Sequence, residues 1–356
     1  MANGTVSIGK IFGIGIELHW MFILLILFFF YISPLFGLVW VLLFICVLIH
    51  ELSHSVTSIR NGINVSRIIL MPIGGASIIE ETKIAPDVEF RISIAGPIMS
   101  LFLGGLFGVM VIFTPPGIIT FIVQYLFLIN ILLGVFNILP AFPMDGGRVL
   151  RSYLEKRQGA YRATMNTLKV SKYCVALIII GTVAFLVIPS TYDLAYKEWI
   201  VIWNLLIVFF LYQGITAEKA NAVLRHETRG MKITDVISRK YAMVSYRMSI
   251  GRLYGLVRSR KEHIMVAKKP DGTYALVDIF NRQGAKSART VADMLIPIPN
   301  IGPDLDLVDA IAKIETNPYR VAAVVKGKRL LGIATSSHIN AVITLHMAKK
   351  PDEDAT

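Results

Sequence analysis

Apolar residues fill the first 222 positions in long runs, and charged residues crowd the last 130 or so. A helix needs roughly 20 residues to cross a hydrocarbon core of about 30 Å. Six runs reach that length, at about 14–33, 36–58, 90–113, 118–140, 166–188 and 198–220. Helix breakers separate them: Ser33-Pro34, Asn61-Gly62, Thr114-Pro115-Pro116-Gly117, the stretch from Pro140 to Gly147, and Pro189-Ser190-Thr191. Residues 62–82 follow a different pattern, β-branched with Pro72, Gly74 and Gly75 at the centre, too short and interrupted for a spanning helix. They read as a β-hairpin dipping into the membrane, tolerated at that depth if its backbone lines a protein cavity or pairs with another chain.

From about Met231 the pattern changes to short strands and amphipathic helices with ordinary charge density, the signature of a soluble α/β domain. It repeats. Residues 232–237 resemble 290–295, an offset of 58 positions, and 263–267 followed by 271–278 resemble 320–324 followed by 327–334. The expected organisation is an α-helical polytopic membrane domain over 1–222, a linker over 223–230, modules over 231–284 and 285–346, and a flexible tail over 347–356.

Composition sharpens this picture. The chain has 356 residues, 54% of them hydrophobic and 17% charged, which a membrane protein explains better than an average soluble domain. A net charge of +12 in a soluble chain would suggest a nucleic-acid partner. Here the basic residues cluster in alternate connections instead, which argues against nucleic acid. Arg60, Arg67, Lys83 and Arg91 flank the second connection, and Arg148, Arg151, Lys156, Arg157, Arg162 and Lys169 the fourth. Lys219, Arg225 and Arg229 follow the last run, and Lys197 is the exception elsewhere. Basic loops stay cytoplasmic, so an even number of spans with both termini and the soluble modules in the cytoplasm fits. The first run lacks the features of a cleaved signal and is expected to remain as a span. Cys46 and Cys174 lie in apolar runs and read as packing residues in contact with no disulfide framework. Aromatic runs such as Phe28 to Tyr31, and Trp199 with Trp203, suit contact with membrane lipids.

The chemistry-bearing pattern is His50-Glu51-Leu52-Ser53-His54. Histidines at i and i+4 share one helical face, and neutral imidazole suits zinc. Glu51 is placed one residue round, able to take a proton from an activated water without binding the metal. Ionisable residues within an apolar run are costly and point to function. A catalytic zinc takes a third protein ligand and keeps one position open. Asp145 is the candidate: Pro140 and Pro143 break the fourth run before it, and Gly146-Gly147 let backbone come close. Asp-Gly is also a common turn pair, which by itself would explain Asp145. His19, His226, His263, His338 and His346 have no ligand spacing.

Together, His50 to His54, the segment Asn137 to Gly147 and the hairpin around Pro72-Ile73-Gly74-Gly75 resemble the site-2 protease family of intramembrane zinc metalloproteases. The resemblance spans residues 1–222. It implies that Asp145 completes the metal site with His50 and His54, that Glu51 is the general base, and that Asn137 contacts the scissile carbonyl as an oxyanion or substrate contact. It also implies one zinc ion per active site and transmembrane proteins as substrates. Ala95-Gly96-Pro97 resembles a packing element of the same family and reads equally well as an ordinary helix-packing and kink site.

The C-terminal pair resembles tandem cystathionine-beta-synthase (CBS) domains, which implies an adenine-nucleotide sensor and a homodimer formed through the pair. Gly332 to His338 follows that family's ribose motif, with His338 standing where the motif has Asp. The competing reading is a metal transporter or channel gated by such modules, which would tolerate Glu51→Gln where a protease would lose its base.

Overall fold

The computed structural model describes residues 4–72, 74–79, 84–187, 194–259, 264–279, 288–315 and 317–349. Two compact units result, Met1–Val223 and Leu224–Thr356.

The first unit begins with an unexpected sheet. Strands β1 (Thr5–Ile11), β2 (Ile14–His19), β3 (Val65–Met71) and β4 (Gly74–Ile79) lie in that order. The β2–β3 pair is parallel and the other two are antiparallel. Phe12 and Gly13, with φ of 53° and 81°, close the two-residue turn between β1 and β2, as a primed hairpin turn requires. The hairpin expected within 62–82 is β3–β4. Its turn residue Ile73 lies outside the described residues, as do Lys83, Pro189 to Thr191, Asp193 and His263.

The run at 14–33 is therefore not one spanning helix. Residues 14–19 alternate, so Ile14 and Ile16 enter the core beside Ile68, Leu70, Phe22 and Phe44, while Glu17 accepts from Thr5 Oγ1 at 2.8 Å and pairs with Arg67 at 3.2 Å. The strand satisfies a polar side chain that a lipid-exposed helix would strand. Helix α1 (Trp20–Ile32) has 13 residues, about 20 Å at 1.5 Å per residue and short of a full crossing. His19 caps it, Nδ1 accepting from the Met21 N–H.

Helices α2 (Pro34–Arg60), α3 (Pro86–Phe113), α4 (Ile118–Ile138), α5 (Asp145–Gln158), α6 (Ala160–Val187) and α7 (Leu194–Glu227) follow. Of these, α2, α3, α4, α6 and the stretch Glu198–Glu227 are long and apolar enough to cross a membrane, so five such helices stand among the described residues where six were expected. The basic stretch after Pro140, expected as a connecting loop, forms α5, which is amphipathic and ends at Gly159 with φ of 78°. Arg151 pairs with Glu89 of α3, and Lys156 with Asp87, so the basic face of α5 is partly neutralised by the first turn of α3. Residues 139–144 turn back tightly between α4 and α5. Ala141, Phe142 and Met144 are buried there against Leu168 of α6 and Leu211 and Ile215 of α7.

In the second unit a similar order of elements occurs twice. A 3-10 turn (Ile233–Val236), β5 (Ala242–Ser245), α8 (Ile250–Ser259), β6 (Met265–Lys268) and β7 (Tyr274–Val277) form the first series. A 3-10 turn (Val291–Met294), β8 (Leu295–Pro297), β9 (Asn300–Ile301), α9 (Leu307–Glu315), β10 (Val321–Lys326), β11 (Arg329–Thr335) and α10 (Ser336–Lys349) form the second. In each series the first core strand runs parallel to the second, and the second antiparallel to the third. The two series also exchange strands: β8 pairs with β7 through Leu276–Ile296, and Ser238 bridges to Ile333 of β11. Both 3-10 turns close on an aspartate: Asp235 accepts from the Lys232 N–H at 2.8 Å, and Asp293 from the Thr290 N–H at 2.9 Å. The sequence likeness at 232 and 290 is thus a shared turn cap. Helix α10 continues through Lys349 into the stretch expected as a tail, and residues 350–356 lie outside the described ones.

Candidate metal centre

Helix α2 presents His50 and His54 one turn apart, and α5 presents Asp145 in its first turn. His50 Nε2, His54 Nε2 and Asp145 Oδ2 lie 3.1 Å from one another in every pairing. The three side chains are 4%, 11% and 19% exposed, so the cluster is sequestered and retains some opening at the aspartate. The helix period makes the first two share a face; the tight turn at 139–144 brings in the third across 95 positions of sequence.

Hydrogen bonds behind the imidazoles orient both rings, and the one at His54 fixes what its front nitrogen is. His54 Nδ1 lies 2.7 Å from the Ile92 carbonyl oxygen, which only accepts, so Nδ1 carries the proton and Nε2 of the neutral ring is a bare lone pair. That lone pair faces a carboxylate oxygen and a second imidazole nitrogen. His50 Nδ1 lies 2.9 Å from Ser100 Oγ, buried on α3. With Ser100 accepting from His50 Nδ1, His50 takes the same tautomer as His54, and three acceptors converging without hydrogens between them repel one another unless a cation lies among them. Atoms spaced so lie on a sphere of about 2 Å radius, the Zn–N and Zn–O bond length. The donor set therefore fits zinc, with outer hydrogen bonds orienting each imidazole as metal-ligating histidines require.

Helix α3 passes unusually close to this cluster. A β-carbon on Gly96 would sit 2.3 Å from His54 Nε2 and 2.6 Å from His50 Nε2. The Ala95-Gly96-Pro97 element thus packs against the donor nitrogens themselves, which its sequence did not disclose. Gly146 and Gly147 have a similar role: β-carbons there would lie 2.2 Å from the Leu139 carbonyl oxygen and 2.7 Å from the Ala141 carbonyl carbon. Asp145 reaches its place because the backbone after it is bare.

Glu51 lies on the neighbouring face of α2, against β4. Its Oε2 accepts from Ser77 Oγ at 3.1 Å, and a β-carbon on Gly75 would meet its Cγ at 2.6 Å. Ser77 and Ser100 carried no signal in the sequence. Asn137, near the end of α4, donates to the Leu133 carbonyl of its own helix at 2.9 Å. No bond joins it to the three converging residues among the described contacts.

In the second unit, a cleft of about 490 Å³ is lined by Thr234, Ile237, Ser238, Arg239, Lys240 and His338. His338 stands in the first turn of α10, where its N–H donates to Thr335 Oγ1 at 3.2 Å.

Comparison with known proteins agrees with this chemistry. The description Peptidase family M50 matches residues 38–117 and 114–181. The chain is 29% identical to a zinc metalloprotease of Methanocaldococcus jannaschii, across 99% of this chain and 100% of that one. It is 26% identical to Rip3 of Mycobacterium tuberculosis, across 89% of this chain and 82% of that one. The solved structure of a site-2 protease from Methanocaldococcus jannaschii is 32% identical over 60% of this chain and 95% of its own, with a TM-score of 0.44.

Proposed function

Because the chain belongs to the site-2 protease family within peptidase family M50, and is a zinc-dependent metalloendopeptidase of the membrane, we propose that it hydrolyses peptide bonds within or beside transmembrane segments of membrane-protein substrates. His50, His54 and Asp145 hold the zinc in this reading. The observation that carries it is the convergence of those three donor atoms beside Glu51, with both histidines on a helix long enough to cross a membrane. A zinc ion held by these residues would supply Lewis-acid chemistry, polarising the scissile carbonyl and lowering the pKa of water so that a hydroxide-like nucleophile is available near neutral pH. Glu51 takes a proton from the attacking water and delivers it to the leaving amine. Asn137 turns from its helix carbonyl to contact the substrate carbonyl, an exchange of one hydrogen bond for another.

A helical substrate hides its carbonyls in its own hydrogen bonds and must open. Strand β4 is the outer strand of its sheet, and an opened segment adding to that edge would regain its backbone bonds while lying beside Glu51. The basic connections favour a cytoplasmic second unit, with apolar helix faces and interfacial aromatics against lipid.

The second unit acts in this proposal as a CBS pair that modulates proteolysis and supports a homodimer. Its cleft brings Arg239 and Lys240 together with Thr234 and Ser238 hydroxyls, a lining suited to the phosphates of an adenine nucleotide.

Cleavage of a transmembrane test substrate by the purified full chain checks the central reading. Wild type should cut and a chelator should stop it, while Glu51→Gln should retain zinc and not cut. Cleavage by Glu51→Gln at the wild-type rate would overturn it. Nucleotide binding lost in Arg239→Ala and Lys240→Ala would support the regulatory role, and equal binding by wild type and both variants would remove the cleft from it.

A further inference from the structure

We propose that Ser77 is a positioning residue for Glu51, linking the outer strand of the sheet to the proton-transfer group. The inference rests on Glu51 being the general base. Ser77 Oγ lies 3.1 Å from Glu51 Oε2 and 3.1 Å from Ser55 Oγ. Ser55 stands one turn beyond Glu51 on α2 and is 1% exposed.

The direction of this chain of bonds follows from the groups themselves. A carboxylate only accepts, so Ser77 spends its one proton on Glu51 and its oxygen must accept the proton of Ser55. Glu51 is thereby held from β4, and Ser77 is held from α2. With Oε2 occupied, Oε1 is left to meet water. Gly75 lies on the same face of β4 as Ser77, two residues before it, and its bare backbone makes the room in which Glu51 sits, since an added β-carbon would meet Glu51 Cγ at 2.6 Å. The side chain is flanked by backbone on one side and tethered by a hydroxyl on the other.

This arrangement gives the outer strand a route to the chemistry. Whatever moves β4 moves Ser77, and Ser77 sets the orientation of the base. A substrate segment adding along that edge would therefore act on the rate of the chemical step as well as on binding. A proton acceptor works only when aligned with the proton it takes, so loss of the tether should reduce turnover and spare affinity.

The test uses full-length, zinc-loaded protein and a transmembrane test substrate, comparing wild type, Ser77→Ala, Ser77→Thr, Ser55→Ala and Glu51→Gln for kcat, KM and zinc content. Ser77→Ala is expected to lower kcat by about ten- to a hundredfold, the usual effect of losing an outer orienting bond, with KM and zinc content unchanged. Ser77→Thr, which keeps the hydroxyl, should recover most of that loss, and Ser55→Ala should cost less than Ser77→Ala. Wild-type kcat in Ser77→Ala, or a Thr variant no better than the Ala variant, overturns the inference, as does a loss of zinc that accounts for the drop. If Glu51→Gln is inactive while Ser77→Ala is fully active, the positioning role fails and the protease reading stands. If Glu51→Gln also cuts normally, both fail together.

Discussion

Gly96 faces the imidazole of His54 so closely that one added methyl group would lie 2.3 Å from Nε2, on the side where the donor atoms converge. That methyl could be accommodated only by pushing α3 away or by turning both histidines out. Gly96→Ala should therefore lose stoichiometric zinc and proteolysis while keeping its helical content. Metal analysis alongside circular dichroism checks this; a zinc-loaded Gly96→Ala variant would show that the helices part without cost to the site.

Ser100 and the Ile92 carbonyl hold the far nitrogens of the two imidazoles. The carbonyl cannot be removed by substitution, but the hydroxyl can. Ser100→Ala should weaken zinc binding by about ten- to a hundredfold, read as a shift in the chelator concentration that halves activity. The buried Nδ1 of His50 would be left without its partner.

Ser171 acts further out. Its hydroxyl accepts from the Phe142 N–H at 2.8 Å, and both residues are buried, at 0% and 1% exposure. Ser171→Ala orphans a buried backbone N–H, which costs about 1–3 kcal/mol, in the very turn that carries Asp145 to the histidines. Lower thermal stability and easier loss of zinc should appear together in this variant, and a chelator-release rate equal to that of wild type would separate the turn from the site.

The turn cap at Asp293 makes its own segment acid-sensitive. Backbone N–H groups of Thr290 and Arg289 donate to Asp293 and hold its carboxyl below the usual carboxylate range. A folded-state value below the unfolded one means that this stabilisation is complete above the unfolded value, near 4, and is lost as pH falls through the folded value. Hydrogen exchange across 288–297 should show protection that declines below about pH 4, and Asp293→Ala should lack that extra protection at neutral pH as well.

Much of this protein was legible from local pattern. The helix period alone puts His50 and His54 on one face, and two prolines and two glycines around Asp145 announce a backbone turn with room for close approach. The likeness of residues 232–237 to 290–295 was readable because each segment carries the same capping aspartate, Asp235 and Asp293. The first apolar run was misread for an equally local reason. Ile14 to His19 continues into Trp20 to Ile32 without a charged break other than Glu17, and mean apolarity hides the alternation that makes a strand.

What the sequence determined by itself is the chemistry and its spacing: a pair of imidazoles with a carboxylate between them, fixed by the geometry of one helix and independent of neighbours. The tertiary structure decided how that chemistry is held. Ser100 meets His50 across 50 positions, Ile92 meets His54 across 38, Asp145 meets both across more than 90, and Ser77 meets Glu51 across 26. A serine that orients a ligand and a serine that faces lipid look alike in a sequence. Only the packing of α3, α5 and β4 around α2 distinguishes them, because hydrogen bonds at these distances depend on where whole elements come to rest and on no local propensity of the residues that make them.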